Sequence, residues 1–400
     1  MMLLLLFIVV FVCSLYSFFY SYQKKDILNP LVLFYLPFLI QVVIHYFRYS
    51  VNFNISSKTY FIFFLGLSFF GLGYILFGLI IKENQYKAIS NNVSSIYINK
   101  FVYNSMITVS YIGLILGLFQ MYKFGRSGIA GAFLSSVRWH VNYGSGYNFI
   151  TKYSVVPMQI ICCYDILEKR TKKTLVYINI FVYLMLILIG MARTGIILSI
   201  LALSYIWLLK NQTNLKNRIS LSVKQRSYII SIFVAVVFIF IYIAKVTNKL
   251  YSNGDFFLYK YFGYPINAFN NYILNYPGIT HGQKIGGTLY SILASMNFFS
   301  LNNIDNLLAR IGEFNVYSYL SDPYLDFGTF GVVLVSFFLG IFLNYIYNKN
   351  LYFQGKWTII YATLANSILI SFYSYTYSLT YYIYIILFLI FFVKKRRNTL

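Results

Sequence analysis

The sequence predicts an all-α polytopic membrane protein of about eleven transmembrane helices. Three observations lead to this class. Hydrophobic residues make up 59% of the 400 residues. Only 10% of the residues are charged, whereas soluble globular chains carry roughly 25%. Apolar runs close to ~20 residues long, the length that a helix needs to cross a bilayer, recur along the whole chain.

The apolar runs are separated by short polar segments, and each run predicts one span. The first run is predicted to be a span, and not a cleaved signal, because no positive charge precedes it and Lys24 and Lys25 follow it. The predicted spans are 2–22, 28–47, 60–81, 101–122, 149–167, 174–190, 195–209, 228–246, 324–347, 357–375 and 378–393.

The distribution of basic residues predicts the orientation. Of the 32 Lys and Arg residues, 20 fall in alternate connections, which the positive-inside rule assigns to the cytoplasm. The N-terminus is therefore expected outside and the C-terminus inside. The predicted inner segments are 23–27, 82–100, 168–173, 210–227, 348–356 and 394–400.

The short runs 174–190 and 195–209 are predicted to form a tight hairpin. Basic segments flank the pair on both sides, and a single long helix would put those segments on opposite sides of the membrane. A hairpin puts both segments inside and leaves Arg193 at the outer turn.

Two outer segments, 123–148 and 247–323, are long enough to carry function within a single integral membrane domain, 1–400. The larger one is rich in Tyr, Phe and Asn, a composition too aromatic for a disordered segment. We expect short amphipathic helices there that pack over the bundle.

Composition also excludes several kinds of partner. The net charge of +23 comes from basic residues scattered between apolar runs, so a nucleic-acid-binding face is not expected. Cys13, Cys162 and Cys163 lie inside apolar runs, which indicates packing rather than a zinc site. Membrane anchoring and an anionic membrane-bound substrate explain the positive net charge better than binding to nucleic acid does.

Carboxylates are scarce among the predicted outer residues. Only five of the nine are there: Asp255, Asp305, Glu313, Asp322 and Asp326. Because no closely paired carboxylates are present to hold a divalent ion, neither a metal nor another cofactor is expected.

Cationic side chains on the outer side point to an anionic ligand. Arg presents a fixed fork of donors that fits phosphate oxygens, so a diphosphate at the membrane surface is one interpretation and contact with lipid headgroups is the other. The candidate diphosphate-binding residues are Arg193, Arg126, Arg138 and Arg310, with Lys260 and Lys284 also outside. Two outer histidines, His140 and His281, are of the type that serves as a general base near neutral pH.

Three segments resemble the Wzy-type O-antigen or oligosaccharide repeat-unit polymerases. The stretch NVYSYLSDPYLDFGTFGVVLVSFFLGIFLNYIY at 315–347 is similar to their C-terminal signature, with a Tyr-x-Asp-Phe-Gly-x-x-Gly core. GMARTGII at 190–197 resembles their Arg-containing hairpin, and GQKIGGTLYS at 282–291 resembles a glycine-containing loop segment. No paired Arg–Gly loop spacing of the family is evident around Arg126 or Arg310.

The resemblance implies an architecture like that of the GT-C membrane glycosyltransferases and a reaction at the outer face of a bacterial inner membrane. A glycan on undecaprenyl diphosphate would be transferred to a sugar hydroxyl of the next lipid-linked unit, without metal or cofactor. A base, expected to be His281, Glu313 or Asp326, would take the hydroxyl proton. A chain-length regulator and a flippase are the protein partners that such a polymerase implies.

Two other functions fit the same sequence. A lipid-linked oligosaccharide flippase or transporter is the main alternative outside the enzymes, although flippases usually lack a long outer loop. An O-antigen ligase would use the same donor with a different acceptor. The sequence leaves open the sugars, their linkage, and whether the polymer is O-antigen, capsule or exopolysaccharide.

Overall fold

The computed structural model describes most of the chain, and the described residues are predominantly helical. They are residues 2–24, 28–47, 55–80, 96–128, 133–143, 146–168, 172–190, 199–200, 202–207, 262–275, 280–296, 317–353, 355–376 and 380–395.

The described part of the chain contains thirteen helices, α1 to α13, that have well-defined bounds. In chain order they are Met2–Lys24, Pro30–Phe47, Ser57–Ile80, Lys100–Arg126, Phe133–Tyr143, Phe149–Tyr153, Val155–Glu168, Lys173–Ile189, Tyr264–Asn275, Gly287–Ser295, Ser321–Phe353, Lys356–Leu369 and Thr380–Phe392. Residues 202–207 are also helical. Two short strands, β1 (Ile96–Ile98) and β2 (Val393–Lys395), complete the set.

Within the described ranges, five helices are long and apolar enough to cross a membrane: Met2–Gln23, Pro30–Phe47, Ser57–Ile80, Lys100–Arg126 and Ser321–Leu351. They match the first four predicted spans and the span at 324–347. The apolar helices Lys173–Ile189 and Ile383–Phe392 are shorter. The predicted span 228–246 lies outside the described residues, and of 195–209 the structure describes 199–200 and 202–207.

Two predicted spans are not continuous helices. The run 149–167 is divided at Ser154 into α6 and α7, where the Ser154 hydroxyl donates to the Thr151 carbonyl. In the run 357–375, α12 ends at Leu369 and a turn follows. Serine side chains compete with the backbone for hydrogen bonds, and an apolar run in a sequence does not reveal this.

The helices present wide apolar surfaces outward. In α4, Ile115 and Phe119 are each 67% exposed, and the most apolar part of this helix is only 22% buried. Soluble proteins rarely expose apolar surfaces of this size to water, and such surfaces are typical of a helix that faces lipid. The chain is therefore a mostly helical membrane protein.

The chain divides into two compact units. Unit 1 comprises residues 1–92, 254–352 and 364–382, and unit 2 comprises residues 93–253, 353–363 and 383–400.

In unit 1, α1 packs against α2 and α3, and aromatic side chains fill the core. The rings of Phe34 and Phe70 stack with their centroids 3.6 Å apart. The Tyr35 hydroxyl donates to the Leu67 carbonyl (2.7 Å), and the Tyr319 hydroxyl lies 3.0 Å from Ser336 Oγ. These bonds satisfy the polar ends of rings that are otherwise buried.

The described part of the predicted large loop 247–323 includes two helices, α9 and α10, and α9 packs on α3. The Asn270 amide oxygen accepts bonds from Thr59 Oγ1 (2.7 Å) and the Ser56 N–H (3.0 Å). The Phe63 and Phe269 rings meet edge to face. Helix α9 is thus fixed on the N-terminus of α3 by both polar and apolar contacts.

In unit 2, α4 packs against α5, α6, α7 and α8. Asp165 of α7 is buried, and its carboxylate accepts from the Tyr103 hydroxyl (2.9 and 3.0 Å) and Asn179 Nδ2 (3.0 Å). Because an acid buried among apolar helices needs such donors, this cluster ties three helices together. Cys162 and Cys163 are free thiols buried in the same helix, which confirms their predicted packing role.

The strands form a small antiparallel ribbon that the all-α prediction did not include. Ile96 pairs with Lys395, and Ile98 pairs with Val393. The Ile96 N–H also donates to Glu168 Oε1 (2.7 Å). Three predicted inner segments, 82–100, 168–173 and 394–400, therefore meet at one place in unit 2.

Candidate functional site

The turn 280–286 and the start of α11 form the candidate site in unit 1, and the Asp326 carboxylate joins them. It accepts hydrogen bonds from the Thr280 hydroxyl, the Lys284 N–H (3.0 Å) and the Ile285 N–H (2.7 Å). The Thr280 N–H donates to the Leu325 carbonyl (3.0 Å). Because both carboxylate oxygens of the buried Asp326 accept from this turn, its geometry suits an anchor better than a base.

His281 lies at the outer edge of this turn in an unusual backbone conformation. Its φ is +46°, and it is the only described residue other than glycine with a positive φ. Its side chain is exposed, and its carbonyl accepts from the Tyr290 hydroxyl (2.9 Å). Residues held in sparsely populated conformations cluster at functional sites, which makes His281 a candidate functional residue.

The break in α11 explains the glycines of the Tyr-x-Asp-Phe-Gly-x-x-Gly pattern. Gly328 has φ +63° and ψ −149°, a conformation essentially restricted to glycine. At Gly331, a Cβ atom would overlap the Pro323 carbonyl oxygen. The pattern therefore encodes a kink at Phe327 and Gly328, directly after Asp326, and lets the two halves of the helix approach closely.

The first long loop, 123–148, is helical over much of its length and belongs to unit 2. Arg126 ends α4, is exposed, and lies with its guanidinium carbon 5.0 Å from the centre of the Tyr122 ring. Arg138 lies on α5. His140 Nε2 is 3.0 Å from Ser127 Oγ, and the imidazole stacks on Phe124.

Tyr147 lies at the C-terminal end of the same loop, 123–148. Its hydroxyl donates to the Ile189 carbonyl (2.8 Å), next to the end of α8. Burial raises the pKa of Tyr147 to about 12, so the phenol stays protonated and remains a donor. The contact holds the C-terminal end of α8, the first helix of the predicted hairpin, against the first long loop.

Of the three residues predicted as the base, two belong to this site. Asp326 bonds to the turn 280–286, and His281 is part of that turn. Arg126 and Arg138 lie in unit 2, whereas His281 and Asp326 lie in unit 1. The remaining candidates, Glu313, Arg193 and Arg310, lie outside the described residues.

Sequence reasoning missed the partners that make this a site. The Thr280 hydroxyl and the Lys284 backbone N–H donate to the Asp326 carboxylate, and the Tyr290 hydroxyl donates to the His281 carbonyl. The signal in the sequence was the Thr-His-Gly triplet at 280–282, because histidine is enriched at positive φ and glycine adopts it readily.

Across the described ranges, no group of three or more His, Cys, Asp or Glu side chains comes together to hold a metal ion. Comparison of the chain with known protein families, characterised proteins and solved structures finds no match. The fold therefore defines the class of protein, a helical protein embedded in a membrane, and the site supplies the basis for a more specific function.

Proposed function

We propose that this protein polymerises lipid-linked oligosaccharide repeat units into an O-antigen or capsule-type polysaccharide. One observation supports the proposal best: Asp326, in the segment that resembles the polymerase signature, accepts hydrogen bonds from the Lys284 and Ile285 N–H groups, in the segment that resembles the polymerase loop. Two stretches that resemble the same family in separate parts of the sequence thus form one site.

The proposed reaction transfers the growing glycan from undecaprenyl diphosphate to the next lipid-linked unit. A sugar hydroxyl oxygen of that unit attacks the anomeric carbon of the glycan. The new glycosidic bond forms as the carbon–oxygen bond to the diphosphate breaks, and the diphosphate leaves with the bonding electrons. The hydroxyl proton passes to a base, and cationic donors stabilise the charge on the leaving group.

We assign these roles to the chain's own residues as follows. His281 takes the proton, because its imidazole is exposed on a turn of defined geometry. Asp326 positions the turn through its hydrogen bonds. Arg193 binds the diphosphate, and Arg126, Arg138 and Arg310 are further candidates for this role. Glu313 is the alternative base.

We place the protein in the inner membrane of a bacterium, with its N-terminus and its active site outside. The ribbon in unit 2 supports a common side of the membrane for the three segments that it joins, and the positive-inside rule assigns that side to the cytoplasm. The undecaprenyl diphosphate substrates would then reach the site from the outer leaflet.

The orientation predicts the results of reporter fusions. Fusions after positions 90, 170, 218 and 398 should report a cytoplasmic location, and fusions near positions 135 and 280 should report an external one. The measurement is paired alkaline phosphatase and fluorescent protein activity at matched expression. Reversed signals at either long loop would contradict the orientation.

Metal independence is predicted for the polymerisation itself. Purified protein in nanodiscs, supplied with the lipid-linked repeat unit, should lengthen the glycan at the same rate with and without EDTA, because arginines take the place of a metal in stabilising the diphosphate. Gel analysis of the glycan measures this result. Complete loss of elongation that magnesium or manganese restores would be incompatible with an arginine-only site.

The same assay separates the proposed function from its alternatives. A flippase would move the lipid-linked unit between leaflets without lengthening the glycan. A ligase would transfer the glycan only when a lipid A core acceptor is added.

A further inference from the structure

Five lysines lie in the three segments that meet at the ribbon of unit 2. We call them the inner lysine cluster: Lys100, Lys172, Lys173, Lys394 and Lys395. The backbone of Ile96 pairs with that of Lys395, and the Ile96 N–H donates to Glu168 Oε1 (2.7 Å). Strand pairing and one carboxylate therefore bring the three segments together at one place.

A second carboxylate joins the beginnings of α4 and α8, which pack against each other. Asp165 accepts from the Tyr103 hydroxyl (2.9 Å), three residues after Lys100, and from Asn179 Nδ2 (3.0 Å), six residues after Lys173. Lys100 and Lys173 thus lie at the same end of two neighbouring helices.

The lysines that begin α4 and α8 are placed against the helix dipoles. A helix N-terminus carries a partial positive charge and favours acidic residues, but neither helix has an acidic residue in its first turn. Lys172 is the N-cap of α8 and makes no side-chain capping bond. The side chains of Lys100, Lys172 and Lys173 are exposed. An anion bound here would offset both the lysine charges and the dipoles.

The acids of this region do not balance its positive charge. The segments 99–100, 165–173 and 393–397 contain nine Lys and Arg residues but only two acids, Asp165 and Glu168. Asp165 is buried between the helices, and Glu168 Oε1 accepts from the ribbon. The excess of positive charge favours an anionic partner from outside the chain.

Exposed aromatic side chains beside the lysines indicate that this partner is a lipid. Phe101, Tyr177 and Phe392 are 78%, 69% and 51% exposed, and each lies within four residues of a lysine of the cluster. Aromatic residues next to lysines are typical of the interface between membrane and water. The cluster therefore lies at the depth of the lipid headgroups, which flexible lysine side chains can reach.

We propose that the inner lysine cluster binds the phosphate of an anionic phospholipid headgroup. The positive-inside rule assigns this face of the protein to the cytoplasmic leaflet, whose anionic lipids attract lysines close to the membrane surface. The bound lipid joins the beginnings of α4 and α8 to the ribbon. The inference goes beyond the proposed function and does not depend on it.

Charge removal at the three exposed positions tests the site with little risk to folding. The inner variant is Lys100→Gln/Lys172→Gln/Lys173→Gln. Each lost lysine should weaken binding of the anionic lipid about fivefold, and the three together about 10²-fold.

The matched outer variant loses the same number of charges from exposed lysines on the predicted outer side. Lys123 lies near the opposite end of α4 from Lys100, so the two variants compare the two ends of one helix. The outer variant is Lys58→Gln/Lys123→Gln/Lys152→Gln.

The wild type and both variants, purified at full length in a neutral detergent, are titrated with dioleoyl phosphatidylglycerol and with dioleoyl phosphatidylcholine. These lipids share their acyl chains and differ in net charge, and native mass spectrometry gives a Kd for each. We expect the wild type and the outer variant to bind phosphatidylglycerol more tightly, and the inner variant to lose this preference. No preference in the wild type, a preference kept by the inner variant, or an equal loss in both variants would overturn the inference.

Competition with soluble glycerol phosphate tests whether the ligand is a lipid. At a concentration equal to that of phosphatidylglycerol, it should leave the bound lipid in place, because it lacks the acyl chains that pack beside the exposed aromatic residues. Displacement of the lipid would show a site for free phosphate esters and would contradict the proposal.

Discussion

His281→Asn is expected to lower the polymerisation rate by about 10²–10⁴-fold, the usual effect of losing a general base. Asparagine is the substitution of choice because it tolerates a positive φ, and position 281 has φ +46°. The variant should therefore keep the turn, its bond from Tyr290 and its abundance in the membrane, and lose only the imidazole.

The measurement is the initial rate of glycan elongation in nanodiscs as a function of pH. His140→Asn is the matched comparison, because His140 is also a histidine of a predicted outer loop, where it stacks on Phe124. It should retain the wild-type rate. A normal rate for His281→Asn would move the role of base to Glu313, and a loss confined to His140→Asn would move it to that loop.

Asp326→Asn separates a base from a residue that positions one. The amide keeps one acceptor oxygen but directs an NH₂ group at a backbone N–H that now donates to the carboxylate. The rate should fall less than in His281→Asn, because the turn is loosened while the imidazole remains. A loss in Asp326→Asn as large as that in His281→Asn, at matched membrane abundance, would contradict a role limited to positioning.

Arg193→Ala is expected to abolish polymerisation nearly completely, by at least about 10²-fold, as when one charge-stabilising donor is removed from an active site. Arg193 lies outside the described residues, so the prediction depends on the sequence. An Arg between two apolar runs is costly unless it meets a negative group, and no carboxylate lies near it in the sequence. The diphosphate of the lipid carrier would provide that group.

Arg193→Lys tests the geometry of this contact. Lysine keeps the charge but not the fork of donors that binds two phosphate oxygens together, so this variant should insert normally and polymerise poorly. The readout is glycan chain length in cells that contain each variant at matched membrane abundance. Wild-type chain lengths from Arg193→Ala would remove Arg193 from the site and favour contact with lipid headgroups.

The sequence determined the class of this protein and the positions of its long spans. Apolar length is a local property, so the first four spans and the one at 324–347 appear as helices close to the predicted bounds. The Tyr-x-Asp-Phe-Gly-x-x-Gly pattern also marked the start of α11, because the kink at Gly328 needs a residue without a side chain.

Hydropathy alone did not reveal where an apolar run stops being helical. The runs 149–167 and 357–375 are interrupted at Ser154 and after Leu369. At Ser154 the bond is local, from its hydroxyl to the Thr151 carbonyl. In the turn after Leu369, the Ser371 carbonyl accepts from the Tyr319 N–H, which is far away in the chain. The ribbon between Ile96 and Lys395 was missed for the same reason.

Only the tertiary structure showed which groups surround the carboxylate and the histidine of the candidate site. In the sequence, His281, Glu313 and Asp326 were all candidates for the base, with His281 preferred, because each is a titratable residue in or beside an outer loop. In the fold, the Asp326 oxygens accept from Thr280, Lys284 and Ile285, while the His281 side chain remains exposed. Composition and spacing determine which groups are present, but the role of each depends on the donors that long-range contacts bring to it.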